Sequence, residues 1–463
     1  MSKDFLLPAQ TSFNANSKSY FDQLSEFLSI QSISADKDFH HQAKQCANWL
    51  LEHLSRMGAS LAELIQTPGL PCVFAEFNSQ GDPKNSETVL FYGHYDVQPV
   101  DPVNLWDTDP FKAEIKNGRI YARGAQDNKG QLFYFLKALE STILSGTLGV
   151  NVKILLEGEE ECGSVGISQT LPTIADKIKA DTLLVCDTGT LDASLGAITM
   201  GLRGIVHLEI KLTGPNKDLH SGVHGGIVQN PAVELSRLIS KIHDENGKIL
   251  IPGFYDGIKE LSKSDLDKAN NFPMTEQQYQ KLVGVAPLGG EKGLSMAVRR
   301  GLRPTVEVNG ITSGYQGEGS KTIIPSCASC KISSRIVSGQ SAVDIKNKII
   351  NFLKDNTPSG LQFECLHQDA SGEGFSMSVE SKVVQKAAKI LTQITQTEPL
   401  YIWEGASIPL IPSLIKYSGA SPLLVGFGLE EDNIHAPNES FSLDQWQKGF
   451  IFCHQFLSNI CPS

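Results

Sequence analysis

Seven side chains scattered over more than 300 residues have the types and placement that metal-assisted hydrolysis needs: His94, Asp96, Asp127, Glu160, Glu161, Asp187 and His435. Most of them follow short apolar runs. His94 and Asp96 come after Phe91-Tyr92, Glu157-Gly-Glu-Glu-Glu161 after Leu155-Leu156, Asp187 after Val185-Cys186, and His435 after Gly426-Phe427. Asp127 lies in Arg123-Gly-Ala-Gln-Asp-Asn-Lys-Gly130, where a helix is expected to begin. Zinc accepts imidazole nitrogen and carboxylate oxygen, and a carboxylate shared by two ions holds them about 3.5 to 4 Å apart with hydroxide between them. A further carboxylate that is not a ligand is then needed to take the proton of the attacking water. The set has members for both tasks.

For these groups to meet, the runs before them must lie side by side. Thr88 to Tyr92, Val152 to Leu156, Thr182 to Cys186 and Leu423 to Phe427 are apolar without strict alternation, which predicts strands buried on both faces, hence parallel strands covered by helices. Ala125 to Leu144 supplies one crossover helix, and Tyr20 to about Met57 reads as two helices broken at Gln31 to Asp36. In open α/β sheets, sites form beyond the carboxyl ends of the strands, so the scattered groups are expected in one crevice.

From about Gly201 to Met377 the pattern changes. Val206, Leu208, Ile210 and Leu212 alternate with polar residues, predicting a strand with one wet face. Pro231 to Ile242 and Ser341 to Asp355 read as helices, and Pro304 to Val308, Ala328 to Ile336 and Leu361 to His367 as strands. The order is β-α-β-β-α-β, a two-layer α+β unit inserted into the α/β unit. Residues 201–377 are therefore expected as a second domain, and 1–200 with 378–463 as the first. Asp244 to Arg303 exceeds the minimal unit and receives no placement from the sequence.

Composition agrees with a folded enzyme and removes other classes. The chain has 463 residues, 40% hydrophobic and 20% charged, which excludes disorder and allows two or three domains. Its net charge of −11, with no basic run to offset it, argues against nucleic acid and anionic membrane partners. Nine cysteines without regular spacing read as reduced, mostly buried thiols. The first residues carry no basic and apolar targeting pattern, and no apolar run has the length of a spanning helix, so a cytoplasmic protein is expected.

Six motifs in order resemble the M20 family of dinuclear metallopeptidases, in its carnosinase-like dipeptidase branch. They are Gly93-His-Tyr-Asp-Val-Gln-Pro99, Trp106 with Pro110-Phe111, Tyr121-Ala-Arg-Gly-Ala-Gln-Asp-Asn-Lys-Gly130, Glu157-Gly-Glu-Glu-Glu-Cys-Gly-Ser164, Cys186-Asp187 and Lys217-Asp-Leu-His-Ser-Gly222. The resemblance implies a catalytic α/β domain and an inserted ferredoxin-like lid that dimerises, acting on small peptides with two divalent ions, by default Zn2+ with Mn2+ or Co2+ as alternatives. It makes His94 and Asp187 ligands of one ion, Glu161 and His435 ligands of the other, and Asp127 the ligand between them. Asp96 would orient His94, and Glu160, set in frame by Gly163-Ser164, would be the general base. His220 would reach the partner subunit's site and steady the oxyanion, and Arg335 would pair with a substrate carboxylate. Ser407, in Glu404-Gly-Ala-Ser-Ile-Pro409, is carried over as a substrate contact, although Ala406 replaces the family's second Gly. An N-acyl or N-carbamoyl amino acid amidohydrolase needs the same metals and base, and a non-catalytic binding protein could keep the fold; both remain as alternatives.

Other candidates carry plainer readings. Cys327 and Cys330 on an alternating strand face opposite ways and cannot easily clasp one ion. Gly317 to Thr322 lacks the Gly-Lys-Ser/Thr order of a phosphate loop. His40 and His41 read as solvated loop residues.

Overall fold

The apolar runs form the centre of a mixed sheet. In the computed structural model, which describes residues 6–405 and 408–458, the chain divides into two units. The first comprises the described residues through Met200, Met377–Ile402 and those from Ser413 onward, and the second comprises Gly201–Ser376 and Trp403–Pro412. The described residues of 403–412 thus group with the second unit, although the sequence pattern places everything after 377 with the first. Their anchors are visible: Trp403 Nε1 donates to Ser376 Oγ (2.8 Å), Arg203 Nε to Gly405 O (3.2 Å), and Arg300 pairs with Glu404 at 2.5 Å.

The sheet of the first unit runs in the order Leu61–Ile65, Cys72–Phe77, Asn151–Glu157, Thr88–His94, Thr182–Val185, Ser421–Leu424, Ala197–Leu202. Its four central strands, 151–157, 88–94, 182–185 and 421–424, are parallel, and the flanking ones are antiparallel. Val, Leu and Ile fill the central strands because helices cover both faces. The crossover helix Lys129–Leu144 is buried along most of its length, and Phe135 stacks on Phe91 of the strand at 3.6 Å. The Leu7–Leu28 helix starts earlier than the Tyr20 expected from the sequence. Pro8 occupies its first turn, and Ala9, Phe13, Tyr20, Leu24 and Phe27 form its buried stripe. Phe13 and Tyr20 join Trp446 and Phe450 of the Leu443–Leu457 helix in one aromatic cluster. His40 and His41 open the His40–Arg56 helix instead of lying in a loop, with His40 Nε2 hydrogen-bonded to Ser34 O (2.9 Å).

The second unit is built around a four-stranded antiparallel sheet in the order Thr305–Ser313, Cys327–Ile336, Gly204–Thr213, Gln362–Gly372. With the Pro231–Ser240 and Ala342–Asp355 helices this is the expected β-α-β-β-α-β arrangement, its core formed by residues such as Val206, Leu208, Ile210, Leu235, Ile332 and Ile345. The segment from Asp244 to Arg303 folds into three short helices, Lys263–Asn270, Glu276–Val283 and Met296–Gly301. Each starts where a hydroxyl accepts a backbone N–H: Ser262 from Asp265, Thr275 from Gln278, Ser295 from Val298. Cys327 and Cys330 lie on a strand whose burial alternates, the first half-buried and the second buried, so they face apart. The eight described cysteines are free, and Cys46, Cys72, Cys186, Cys330 and Cys453 are buried. No described helix is long and apolar enough to cross a membrane.

Two buried imidazoles in the first unit tie its stability to pH. Burial, helped by Lys137, lowers the pKa of His53 to about 3, and burial lowers His454 to about 4. Both are nearly inaccessible. Between these values and the ordinary 6.5 the unfolded chain binds more protons, so stability is full above about pH 6.5 and falls as the solution is acidified toward 3 to 4, by roughly 1.4 kcal/mol per pH unit for each histidine. Urea unfolding at pH 7 and pH 5, followed by tryptophan fluorescence, should show a loss of about 2 kcal/mol per imidazole. Replacing His53 with Gln should remove its share of that loss; an unchanged pH dependence would refute the assignment.

Candidate metal centre

Three of the four parallel strands of the first unit bring site side chains to one place, at their last residue or within four positions after it. His94 is the last residue of its strand, Glu160 and Glu161 follow Asn151–Glu157 through a short 3-10 turn, and Asp187 lies two residues beyond Val185. Gly158 starts the turn after Glu157 because a side chain there would collide with the Tyr95 ring. His435 adopts φ +59°, a left-handed conformation uncommon for a non-glycine residue.

The side chains converge on Asp127. His94 Nε2 lies 3.1 Å from Asp127 Oδ1 and 3.7 Å from Asp187 Oδ2. His435 Nε2 lies 2.9 Å from Asp127 Oδ2 and 3.3 Å from Glu161 Oε2. Two groups of potential ligands result, His94 with Asp127 and Asp187, and Asp127 with Glu161 and His435, sharing one carboxylate. Asp96 holds the other side of His94: its Oδ1 is 3.3 Å from Nδ1, and its carbonyl oxygen is 3.1 Å from the same nitrogen. The Asp96 carboxylate also accepts the backbone N–H groups of Glu160 (3.3 Å) and Glu161 (3.1 Å), which links the imidazole to the acidic turn.

The four acidic residues of that turn separate by partner. Glu157 is buried in the strand, accepting from Tyr92 Oη (2.6 Å) and Ser164 Oγ (2.9 Å). Glu159 accepts from Gly166 N. Glu161 faces His435, and Glu160 stands close enough to His94, Asp187, Glu161 and Asp127 to feel their charges without a hydrogen bond to any of them. Burial pushes Glu160 well above the ordinary carboxylate range and Asp187 up to about 7. Burial would also raise Asp127, but hydrogen bonds from His435 and His94 hold it below its ordinary value. Burial would lower His94, yet its bonds to Asp127 and Asp96 keep it well above 6.5, and His435 rises to about 10 on its bonds to Asp127 and Glu161.

Burial and the hydrogen bonds between imidazoles and carboxylates set these shifts, in a pocket where carboxylates outnumber imidazoles. Among the described residues, the cationic partners of Asp127, Asp187 and Glu161 are the two imidazoles. Glu161 Oε1 is buried without a hydrogen-bond partner among those residues. A mixed nitrogen and oxygen donor set with surplus negative charge and an unsatisfied carboxylate oxygen fits a pair of divalent cations.

Three contributors carried no signal of their own in the sequence. Asn128 Nδ2 donates to Asp187 Oδ1 (2.7 Å), Gln98 Nε2 donates to Glu161 Oε2 (2.7 Å), and Glu439 accepts from the backbone of the Asp127 loop. Asn128 and Gln98 lie inside motifs already noted for their neighbours, whereas Glu439 is marked only by standing four residues after His435.

His220 and Arg335 belong to the second unit. His220 is exposed, and its Nδ1 accepts from Gly222 N (3.0 Å) at the start of a short helical turn. Arg335 is half-buried on the strand face shared with Ser329, Lys331 and Ser333, opposite buried Ile332, Ser334 and Ile336. Ser407 lies outside the described residues.

The sequence pattern of peptidase family M20/M25/M40 matches residues 90–459. The chain is 30% identical over 464 residues to the Cys-Gly metallodipeptidase dug1 of Schizosaccharomyces pombe, covering 95% of this chain and 96% of that one. It is 26% identical to the human Beta-Ala-His dipeptidase over 440 residues, covering 91% and 86%. Among solved structures, the M20 family metallo-carboxypeptidase Sso-CP2 of Sulfolobus solfataricus is similar with a TM-score of 0.79 and 32% identity over 95% of this chain and 98% of that one. The dipeptidase Dug1p of Saccharomyces cerevisiae gives 0.76 and 25% over 98% of each. With the two ligand groups sharing Asp127 in place, the extent of these matches is decisive: the chain belongs to peptidase family M20/M25/M40.

Proposed function

We propose that this metallopeptidase hydrolyses the amide bond of dipeptides or other short peptides at a centre of two divalent ions held by His94, Asp127, Glu161, Asp187 and His435. The observation that carries the reading is that both oxygens of Asp127 are engaged, one toward each imidazole, with a second carboxylate beside each. Cys-Gly and Beta-Ala-His dipeptidases among its relatives favour dipeptides as the substrate class. The donor set suits Zn2+, and also Mn2+ or Co2+.

Bound there, such ions supply Lewis acidity, polarising the scissile carbonyl and acidifying a water. The remaining tasks fall to the chain. Glu160, close to the ligands but hydrogen-bonded to none of them, accepts a proton from the attacking water and returns it to the leaving amine. Its place among the ligands without a hydrogen bond to them is what a general base needs. Asp96 fixes the ring and tautomer of His94 through Nδ1. The family resemblance assigns His220 of a partner subunit to the developing oxyanion, and Arg335 and Ser407 to the substrate. Arg335 is suited to bidentate pairing with a carboxylate. In this reading 1–200 with 378–463, apart from the Trp403–Pro412 stretch that groups with the second unit, is the catalytic domain, 201–377 is the lid through which a homodimer forms, and the enzyme works in the cytoplasm.

Three measurements test the proposal. Glu160→Gln should still bind two ions per chain but lose roughly 10²- to 10⁴-fold in kcat; turnover at the original rate would remove Glu160 from its role. After chelation the chain should be inactive toward a panel of dipeptides and N-acyl amino acids, and Zn2+, Mn2+ or Co2+ at two per chain should restore cleavage of the dipeptides. Cleavage confined to the acyl or carbamoyl compounds would make it an amidohydrolase instead. Mixed heterodimers of Glu160→Gln and His220→Ala chains should regain part of the activity that each lacks alone, and their failure to do so would mean that His220 does not act across subunits.

A further inference from the structure

Glu439 has no part in the chemistry, yet its carboxylate is fully buried and takes four hydrogen bonds. Oε1 accepts from Gln126 N (3.0 Å) and Asp127 N (3.1 Å), and Oε2 accepts from Gly124 N (2.9 Å) and Arg123 Nη1 (2.8 Å). The Glu439 carbonyl oxygen accepts a fifth from Ala122 N (3.1 Å). One residue therefore fixes the backbone from 122 to 127. Arg123 is itself buried, donates Nη2 to Pro99 O (2.9 Å) and lies over the Trp106 ring at 5.2 Å. Asn438, the residue before Glu439, accepts from Asp107 N (2.8 Å) and so ties the chain there to a different loop.

Burying a carboxylate costs several kcal/mol unless its lone pairs are filled, and those of Glu439 are filled almost entirely by the loop that presents Asp127. The two groups of candidate ligands depend on this joint unequally. His94 ends a central strand and Asp187 follows another, both set by sheet pairing. Asp127 and His435 are both presented by loops, and Glu439, four residues after His435, ties those loops together.

We infer that Glu439 is a positioning residue that sets the backbone of Asp127 against the segment bearing His435, and so governs the ion held by Asp127, Glu161 and His435 more than the one held by His94, Asp127 and Asp187. The inference rests on the two-ion reading of the centre. Gln at 439 offers one acceptor oxygen and an NH2 group, so in either orientation it keeps two of the four side-chain bonds and sets donor against donor. None of the hydrogen bonds to Glu439 described above comes from the strands that carry His94 and precede Asp187.

The test is a chelator-competition titration of the full chain with Zn2+, resolving two dissociation constants, with the His435→Ala chain identifying which constant belongs to the ion beside His435. In Glu439→Gln that constant should rise about 10- to 100-fold, the other should stay within about threefold, and the cobalt absorption of the affected site should change. Unfolding of the metal-free chain is measured alongside. Equal weakening of both ions, or no change in either while two ions bind, would overturn the inference. An unaltered chain that binds fewer than two ions would instead defeat the two-ion reading. Should Glu439→Gln not fold, Arg123→Lys disturbs the same carboxylate while leaving its three backbone donors, and a smaller shift in the same order is expected; an equal or absent shift there overturns the inference too.

Discussion

Two imidazoles compete for one carboxylate at Asp127, and the surrounding structure is organised by that competition. A single Asp between His94 and His435 would be an ordinary buried ion pair if the neighbourhood were neutral. Here Asp187, Glu161 and Glu160 crowd the same space, and each carboxylate that is denied water or a cation becomes harder to ionise. Asp127, bonded to both imidazoles, is held below its ordinary value, while burial raises Asp187 to about 7. Protonated imidazoles relieve the crowding in the metal-free chain. Divalent cations would relieve it more fully, and the imidazoles would then serve as neutral ligands.

The chain meets this demand by division of labour. Strand ends, fixed by hydrogen-bonded neighbours on both sides, place His94 and the residues before Asp187 and Glu160. Amides and a buried acid then set the rotamers: Asn128 on Asp187, Gln98 on Glu161, Asp96 on His94. The acidic turn shows how fine this division is. Glu157 and Glu159 are committed to Tyr92, Ser164 and Gly166, which leaves the next two carboxylates to face the pocket.

Parallel strands were legible in the sequence because burial on both faces forces continuous Val, Leu and Ile, and the residues after them had to converge. The antiparallel strands Leu61–Ile65 and Cys72–Phe77 escaped that reading. They are short, and the first is half-exposed without clean alternation. The helices between 263 and 301 were invisible to periodicity because they bury little; hydroxyl caps mark their starts, joined by Gln278 in a capping box at Thr275. Asn128, Gln98 and Glu439 act through hydrogen bonds whose partners are distant in the chain, and neither composition nor spacing encodes a partner. The role expected of His220 comes from family resemblance, since its local pattern alone leaves a surface histidine, whereas the expectation for Arg335 also draws on its place on the polar face of its strand.

The Ser421–Leu424 strand lies in the middle of its sheet, between strands completed more than 200 residues earlier. During synthesis, Thr182–Val185 and Ala197–Leu202 leave the ribosome with the gap between them unfilled, and the whole inserted unit is made before the missing piece arrives. The waiting edge of Thr182–Val185 is apolar and unpaired, a surface that invites chaperones or mispairing until residue 424 emerges. His435 and Glu439 follow only a few residues later. The candidate ligand group of Asp127, Glu161 and His435 is therefore incomplete until long after the other strands of the sheet are made, whereas His94, Asp127 and Asp187 are all present early.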